Sequence, residues 1–269
     1  MTVEQEVCPL HAQFDHHSPE FREAPPHAAL ATAKPVLEQN PNESGFLEVA
    51  GRAQLALGQY ADATATFKTL AAANPTVPAS FSYLAMAYEG AGDVDQALAE
   101  AEKALKLAPA DAIIRFDHAR LLARSGKVEQ ANKILAELRA EAVESYQRAF
   151  KAQPNNTNLV ALARAQTLVG RMGEAVQSLE EWVQQKPDDL FVRSSLAEMY
   201  LATQKFADAE AQYAAINQRA PNNALVLNNL AWVMTEQGRA RDALPLARRA
   251  VELAPDSVNA LDTLGYTLM

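Results

Sequence analysis

A single cysteine, Cys8, leaves this chain of 269 residues with no internal disulfide framework to hold it together. No run of about 18 apolar residues occurs, so the sequence offers no hydrophobic helix to span a membrane. Basic residues are in the minority, 24 against 33 acidic ones, for a net charge of −9. Gripping a phosphate backbone requires a Lys/Arg-rich face, so nucleic acid is not an expected partner. The opening MTVEQEVCPLHAQFDHH has neither a basic segment nor an apolar segment of the secretory kind, and Cys8 lacks the apolar run that precedes a lipid-modified cysteine. As it stands, the chain therefore reads as cytoplasmic. Also missing are a nucleophile elbow, a phosphate loop, a metal-binding helix motif and a dinucleotide fingerprint. With no convergent site, neither an enzyme nor a cofactor is expected.

What the chain does have is alanine in abundance, 49% apolar residues, and prolines at regular intervals. Pro41, Pro75, Pro109, Pro154, Pro187, Pro221 and Pro255 are separated by 34, 34, 45, 33, 34 and 34 residues. A period near 34 marks a stack of helical hairpins, each too small to bury its apolar face alone. Aligned on the prolines, the repeats span 44–77, 78–111, 112–155, 156–189, 190–223 and 224–257, with a partial repeat at 258–269 and an acidic, flexible leader at 1–26. Each reads as helix A, a tight turn and helix B. Helix A carries a Leu-small pair at Leu84-Ala85, Leu162-Ala163, Leu196-Ala197, Leu230-Ala231 and Leu264-Gly265. Gly58, Gly92, Gly126, Gly170 and Gly238 mark the turns, with Gln204 in the glycine's place once. Helix B places Ala63, Ala97, Ala131, Ala175, Ala209 and Ala243 where the two helices cross closest, since a larger side chain there would force them apart. Proline then ends helix B, because it cannot donate to the helix ladder.

These repeats resemble tetratricopeptide repeats, and the resemblance covers about residues 27–269. It implies an all-α fold, a right-handed α-α superhelix of about six helix–turn–helix repeats with partial repeats at the ends. It also implies a scaffold that binds a protein or peptide partner. Leu227-Asn-Asn-Leu-Ala-Trp232, Leu253-Ala-Pro-Asp and Asp262-Thr-Leu-Gly-Tyr266 are similar to repeat proteins of bacterial exopolysaccharide and exosortase (PEP-CTERM) systems, whose members are often exported or periplasmic.

The 45-residue step carries an excess of 11. Residues 128–153 contain no glycine or proline and match the helix B pattern twice, at Ala131/Leu135 and Ala142/Tyr146. Eleven residues make three turns with about 20° of drift, so one helix of about 39 Å could keep its face through an insertion. The favoured reading is loss of 23 residues from an intervening repeat, fusing two B helices. At the ends, 27–40 match a helix B without its helix A, and 258–269 a helix A without its helix B. Leu261, Leu264 and Leu268 are thereby left uncovered, so the chain is expected to be a fragment of a longer array or to self-associate through these ends.

Two sets of residues are candidates for chemistry. Cys8, His11, His16 and His17 include zinc-ligand types, but they sit in the leader and no metal is expected there. His27 and His118 are isolated and read as surface or packing residues. Glu180-Glu181 and Asp188-Asp189 read as solvated charge. The resemblance points to positions 2, 5, 9 and 12 of helix A, which face inward along such a superhelix. Here these include Glu48, Arg52, Ser82, Met86, Glu89, Phe116, Arg120, Arg164, Glu198, Asn228, Trp232, Asn259 and Tyr266. Of these, Arg52, Met86, Phe116, Arg120, Arg164, Asn228, Trp232 and Tyr266 are the expected partner-binding set, because guanidinium, amide and aromatic groups anchor peptides. Trp232 reads either as a groove anchor or as a ring filling the seam between adjacent A helices. The Lys/Arg and Asn clamp for chaperone tails is not expected: Asn228 and Asn229 lack matching basic residues.

Overall fold

The computed structural model describes residues 25–269. Fourteen α-helices and no strand occur among them, the all-α repeat class expected from the proline spacing. In order they are α1 (Pro26–Gln39), α2 (Ser44–Ala56), α3 (Tyr60–Ala73), α4 (Pro78–Gly90), α5 (Val94–Leu107), α6 (Ala112–Arg124) and α7 (Val128–Ala152). Then follow α8 (Asn156–Leu168), α9 (Met172–Gln185), α10 (Leu190–Ala202), α11 (Phe206–Arg219), α12 (Ala224–Glu236), α13 (Ala240–Leu253) and α14 (Val258–Leu268). Even-numbered helices are A helices and odd-numbered ones B helices. The described residues fall into two compact units that divide after Leu138, inside α7. At 25 residues α7 exceeds the 14 of the other B helices by 11, the excess found in the proline spacing.

The turns are built alike. Gly58 has φ 70°, its amide donates to the Leu55 carbonyl at 3.0 Å, and the Gln59 amide donates back to Gln54 at 2.8 Å. This paired bond satisfies carbonyls that the helix end leaves open, and it needs a left-handed residue. Gln204 adopts φ 57° and makes the same pair, Gln204 N to Leu201 O at 2.9 Å and Lys205 N to Tyr200 O at 2.9 Å. The six helix B alanines are at most 1% exposed. Four residues on, Phe67, Leu179 and Tyr213 are likewise buried and fill the space between the paired helices. Full burial of such a side chain contributes about 1.5–3 kcal/mol.

In the first unit the core forms three clusters. Val36 and Phe46 centre one, Leu47, Phe67, Leu70 and Leu84 a second, and Leu98, Leu121 and Leu122 a third. In the second unit one cluster runs unbroken from Leu159 to Val233, taking in Leu179, Trp182, Val192, Leu196, Tyr213 and Ile216. Smaller clusters flank it around Val143 and Leu162 and around Leu227 and Ala250.

Candidate functional site on the A helices

Most A helices begin on a side-chain cap. Asp111, Asn155, Asp189, Asn223 and Ser257 each accept a bond from an amide in the first turn of the following helix. The cap fixes where the helix starts and hence which residues share a face. Two residues after three of these caps stand Ile113, Phe191 and Leu225, at 74%, 48% and 61% exposure. Sequence analysis named none of the three, although each stands at position 2 of helix A in the register given above: Asp111-Ala-Ile113, Asp189-Leu-Phe191 and Asn223-Ala-Leu225.

In the first unit the expected residues fall into two groups. On α2, Arg52 is exposed and pairs with Glu48 one turn away at 3.2 Å, and Glu48 also accepts from the Tyr83 hydroxyl at 3.0 Å. On α4 and α6, Met86 and Phe116 are about half exposed, at 46% and 51%. Between these helices Glu89 accepts from both Arg120 and Arg124, and Arg120 also pairs with Asp117 at 3.4 Å. Burial pushes the Glu89 carboxyl up, but the two guanidiniums outweigh it and hold the group below its ordinary value. The Glu89 bond in turn raises the proton affinity of Arg120. The cleft bounded by Ser82, Met86, Glu89, Ile114, Asp117 and Arg120 holds about 10 Å³, room for one water rather than a small-molecule ligand.

In the second unit Arg164, Glu198 and Asn259 are exposed. Tyr266 is also exposed, and Glu236 takes a bond from its hydroxyl and holds its proton more tightly than usual. Asn228 is buried: its Nδ2 donates to Asn229 Oδ1 at 3.3 Å, and Asn229 Nδ2 donates to the Tyr213 hydroxyl at 3.2 Å. Trp232 is half-buried against the main core cluster, its ring edge-on to Phe206 with centroids 5.9 Å apart at 76°. One member of each carboxylate pair, Glu180 and Asp189, is more than solvated charge, while Glu181 and Asp188 are exposed as expected. Glu180 accepts from the Tyr200 hydroxyl, and Asp188 meets Arg219 Nε at 2.5 Å. Asp189 caps α10 and accepts from Trp182 Nε1 at 2.9 Å. Such partners tie Glu180 and Asp189 to the packing of their repeats.

Among the described residues no group of three or more His, Cys, Asp or Glu is arranged to hold a metal ion. Cys8, His11, His16 and His17 lie outside the described residues. No described helix is long and apolar enough to cross a membrane.

Helical hairpins repeated every 34 residues, with surface faces in place of an enclosed pocket on the A helices, define a helical-repeat protein. Models described as tetratricopeptide repeat match residues 26–78 and 136–189, residues 89–153 and 169–233, and residues 224–249. Together they cover well over half of the sequence, and the chain belongs to the tetratricopeptide repeat family, whose members bind protein or peptide partners. A TPR repeat-containing protein of Pseudomonas aeruginosa is 28% identical over 152 residues, which is 54% of this chain and 23% of that protein. The chain thus spans about a quarter of that relative's length. Among solved structures, YrrB, a TPR protein with an unusual peptide-binding site, has a TM-score of 0.39 at 18% identity, covering 73% of this chain and 96% of its own. A tetratricopeptide repeat protein from Parabacteroides merdae has a TM-score of 0.41 at 14% identity, covering 91% and 93%.

Proposed function

We propose that this chain is a non-enzymatic scaffold that holds an extended or helical segment of a partner protein against the exposed faces of its A helices. One asymmetry carries the reading. Of the 16 exposed large apolar residues among those described, ten lie on A helices, four of these on α14, and four lie on B helices, although the B helices contain more residues. Burial drives apolar side chains inward on every helix, so a surplus on one class of helix marks a surface that a partner covers. Ile113, Phe116 and Met86 supply it in the first unit, with Arg120 in the cleft beside Met86 and the exposed Arg52 on α2 as hydrogen-bond donors. Phe191, Leu225 and Tyr266 supply it in the second, with Arg164 as an exposed cation and Trp232 as an anchor that is already half seated in the core.

The test is comparative capture. The full chain and a Phe191→Ala/Leu225→Ala variant are measured against the same partner, and urea unfolding of both is recorded. The variant is expected to bind at least about 30-fold more weakly, the loss of about 2 kcal/mol that a hot-spot pair carries. Its unfolding midpoint should hold, because both side chains face solvent. Unchanged affinity would overturn the assignment of this face. Trp232→Ala with Arg164→Ala should also abolish binding, with helix content retained.

A narrower reading places the scaffold in bacterial exopolysaccharide or envelope assembly. Its support is the likeness of residues 227–232, 253–256 and 262–266 to repeat proteins of those systems. A second reading, self-association, is favoured by the exposure of Val258, Leu261 and Leu268 on α14. A molecular mass that rises with concentration, and no longer does so in Leu261→Ser/Leu268→Ser, would support it.

A further inference from the structure

His118 occupies the seventh position of helix A in its repeat, where five of the others carry Leu84, Leu162, Leu196, Leu230 and Leu264 and the first carries Ala50. His118 is buried at 8% exposure on α6, the helix that packs against α5. A neutral imidazole brings one donor and one acceptor, yet neither Nδ1 nor Nε2 of His118 has a hydrogen-bond partner. The ring is therefore held in the fold as an apolar object. Adding a proton creates a second unpaired N–H and a charge in a site that solvates neither, and burying an unpaired charge is far costlier than burying a neutral polar group.

We propose that His118 makes the third repeat an acid-sensitive latch, in which protonation of the buried ring releases α6 from α5 and opens the first unit there. The surrounding charges do not cancel this. Burial lowers the proton affinity of the ring; Glu102 on α5 raises it, and Lys127, in the turn between α6 and α7, lowers it further. From α4, Glu89 is already engaged by Arg120 and Arg124 on the other side of α6. With the folded value depressed below that of the unfolded chain, the unfolded state binds the proton first. Stability is complete above about pH 6.5, the ordinary imidazole value, and falls as the pH drops below it. Carboxylates remain ionised through this range, so the window belongs to histidine. The inference stands whatever partner the A helices hold.

Hydrogen exchange on the full chain between pH 7.5 and 5.5, corrected for intrinsic rates, tests it together with the titration of the five histidine rings by NMR. In the wild type the α6 amides should lose protection as the pH falls, while in His118→Leu, which restores the residue of the sibling repeats, that loss should vanish. The His118 ring should titrate below the ordinary imidazole value. The same loss of protection in His118→Leu, or a His118 ring titrating at the ordinary value, would overturn the latch. The ring titration requires no variant, so the proposal stays exposed even if His118→Leu folds poorly.

Discussion

All four A helices of the second unit start on a side-chain cap, at Asn155, Asp189, Asn223 and Ser257. In the first unit α2 starts at Glu43 and α4 at Val77 with no such bond, and only α6 has one, from Asp111. The cores differ in the same sense: the second unit has one long cluster flanked by short ones, and the first has three short clusters alone. The first unit relies more on close approach. A Cβ on Gly51 would stand 2.4 Å from the Phe67 ring, and one on Gly90 2.3 Å from the Tyr60 ring. One repeat pattern is thus held by side-chain caps and a long core cluster in one region, and by interlocked rings and small residues in the other. The first mode spreads the effect of a substitution over many neighbours, and the second concentrates it at single contacts.

The largest effect that follows is at Gly51. Phe67 is fully buried and its other face stacks on Tyr83, with ring centroids 5.3 Å apart, so its ring has nowhere to retreat. Gly51→Ala should cost about 1–3 kcal/mol in urea unfolding by overpacking. Phe67→Leu in the same chain should return most of the loss. In the second unit, Gly173 lies inside α9 with no atom within 4 Å of an added Cβ. Gly173→Ala should therefore gain up to about 1 kcal/mol from helix propensity. Two glycine substitutions of equal sign would break the comparison.

The caps give a smaller effect of opposite sign in the two units. Asp189→Ala removes the α10 cap and leaves Trp182 Nε1 without its acceptor, so a loss of about 1–2 kcal/mol is expected. Val77 is 43% exposed, and Val77→Asp would give α4 the cap it lacks with little apolar area lost. A gain of about 0.5–1 kcal/mol in the unfolding of the first unit is expected. If Val77→Asp has no effect, the difference in capping is one of geometry without energetic weight.

These contrasts also show which features the sequence could carry. The helix B alanines, the turn glycines and the terminating prolines were legible because each answers a backbone or crossing requirement that recurs at a fixed offset. The length of α7 was legible too, since insertion and fusion converge on the same helix. The side-chain partners were not. Position 5 of helix A places Asn228 on the correct helix, but Asn229 and the buried Tyr213 hydroxyl draw the network inward, and Tyr213 lies on the preceding helix B. Glu89 takes its two arginines from the next repeat, and Trp232 meets Phe206 from 26 residues earlier. His118 was read as a surface or packing residue, and its burial selects the second. The signal for its burial is that five other repeats carry a leucine at that position.

The smallest effect isolates a single dihedral. At Gln204 the turn of the second unit holds a side chain in the left-handed region, which costs an L-residue roughly 1–2 kcal/mol relative to its right-handed conformation. Gly170 makes the same turn one repeat earlier with φ 81°, and an added Cβ there would meet nothing within 4 Å. No packing term therefore separates the two positions. Gln204→Gly relieves the strain but loosens the unfolded chain, leaving a gain of about 0.5–1 kcal/mol. Gly170→Gln should lose the same amount, and the double substitution should return the chain to its starting stability. The sites are one repeat apart and share no contact that either substitution makes or breaks, so the two effects should add. A double variant less stable than the wild type would show that the Gln204 side chain has a stabilising role that its exposed position conceals, and the turn of that repeat would then differ from its siblings in more than φ.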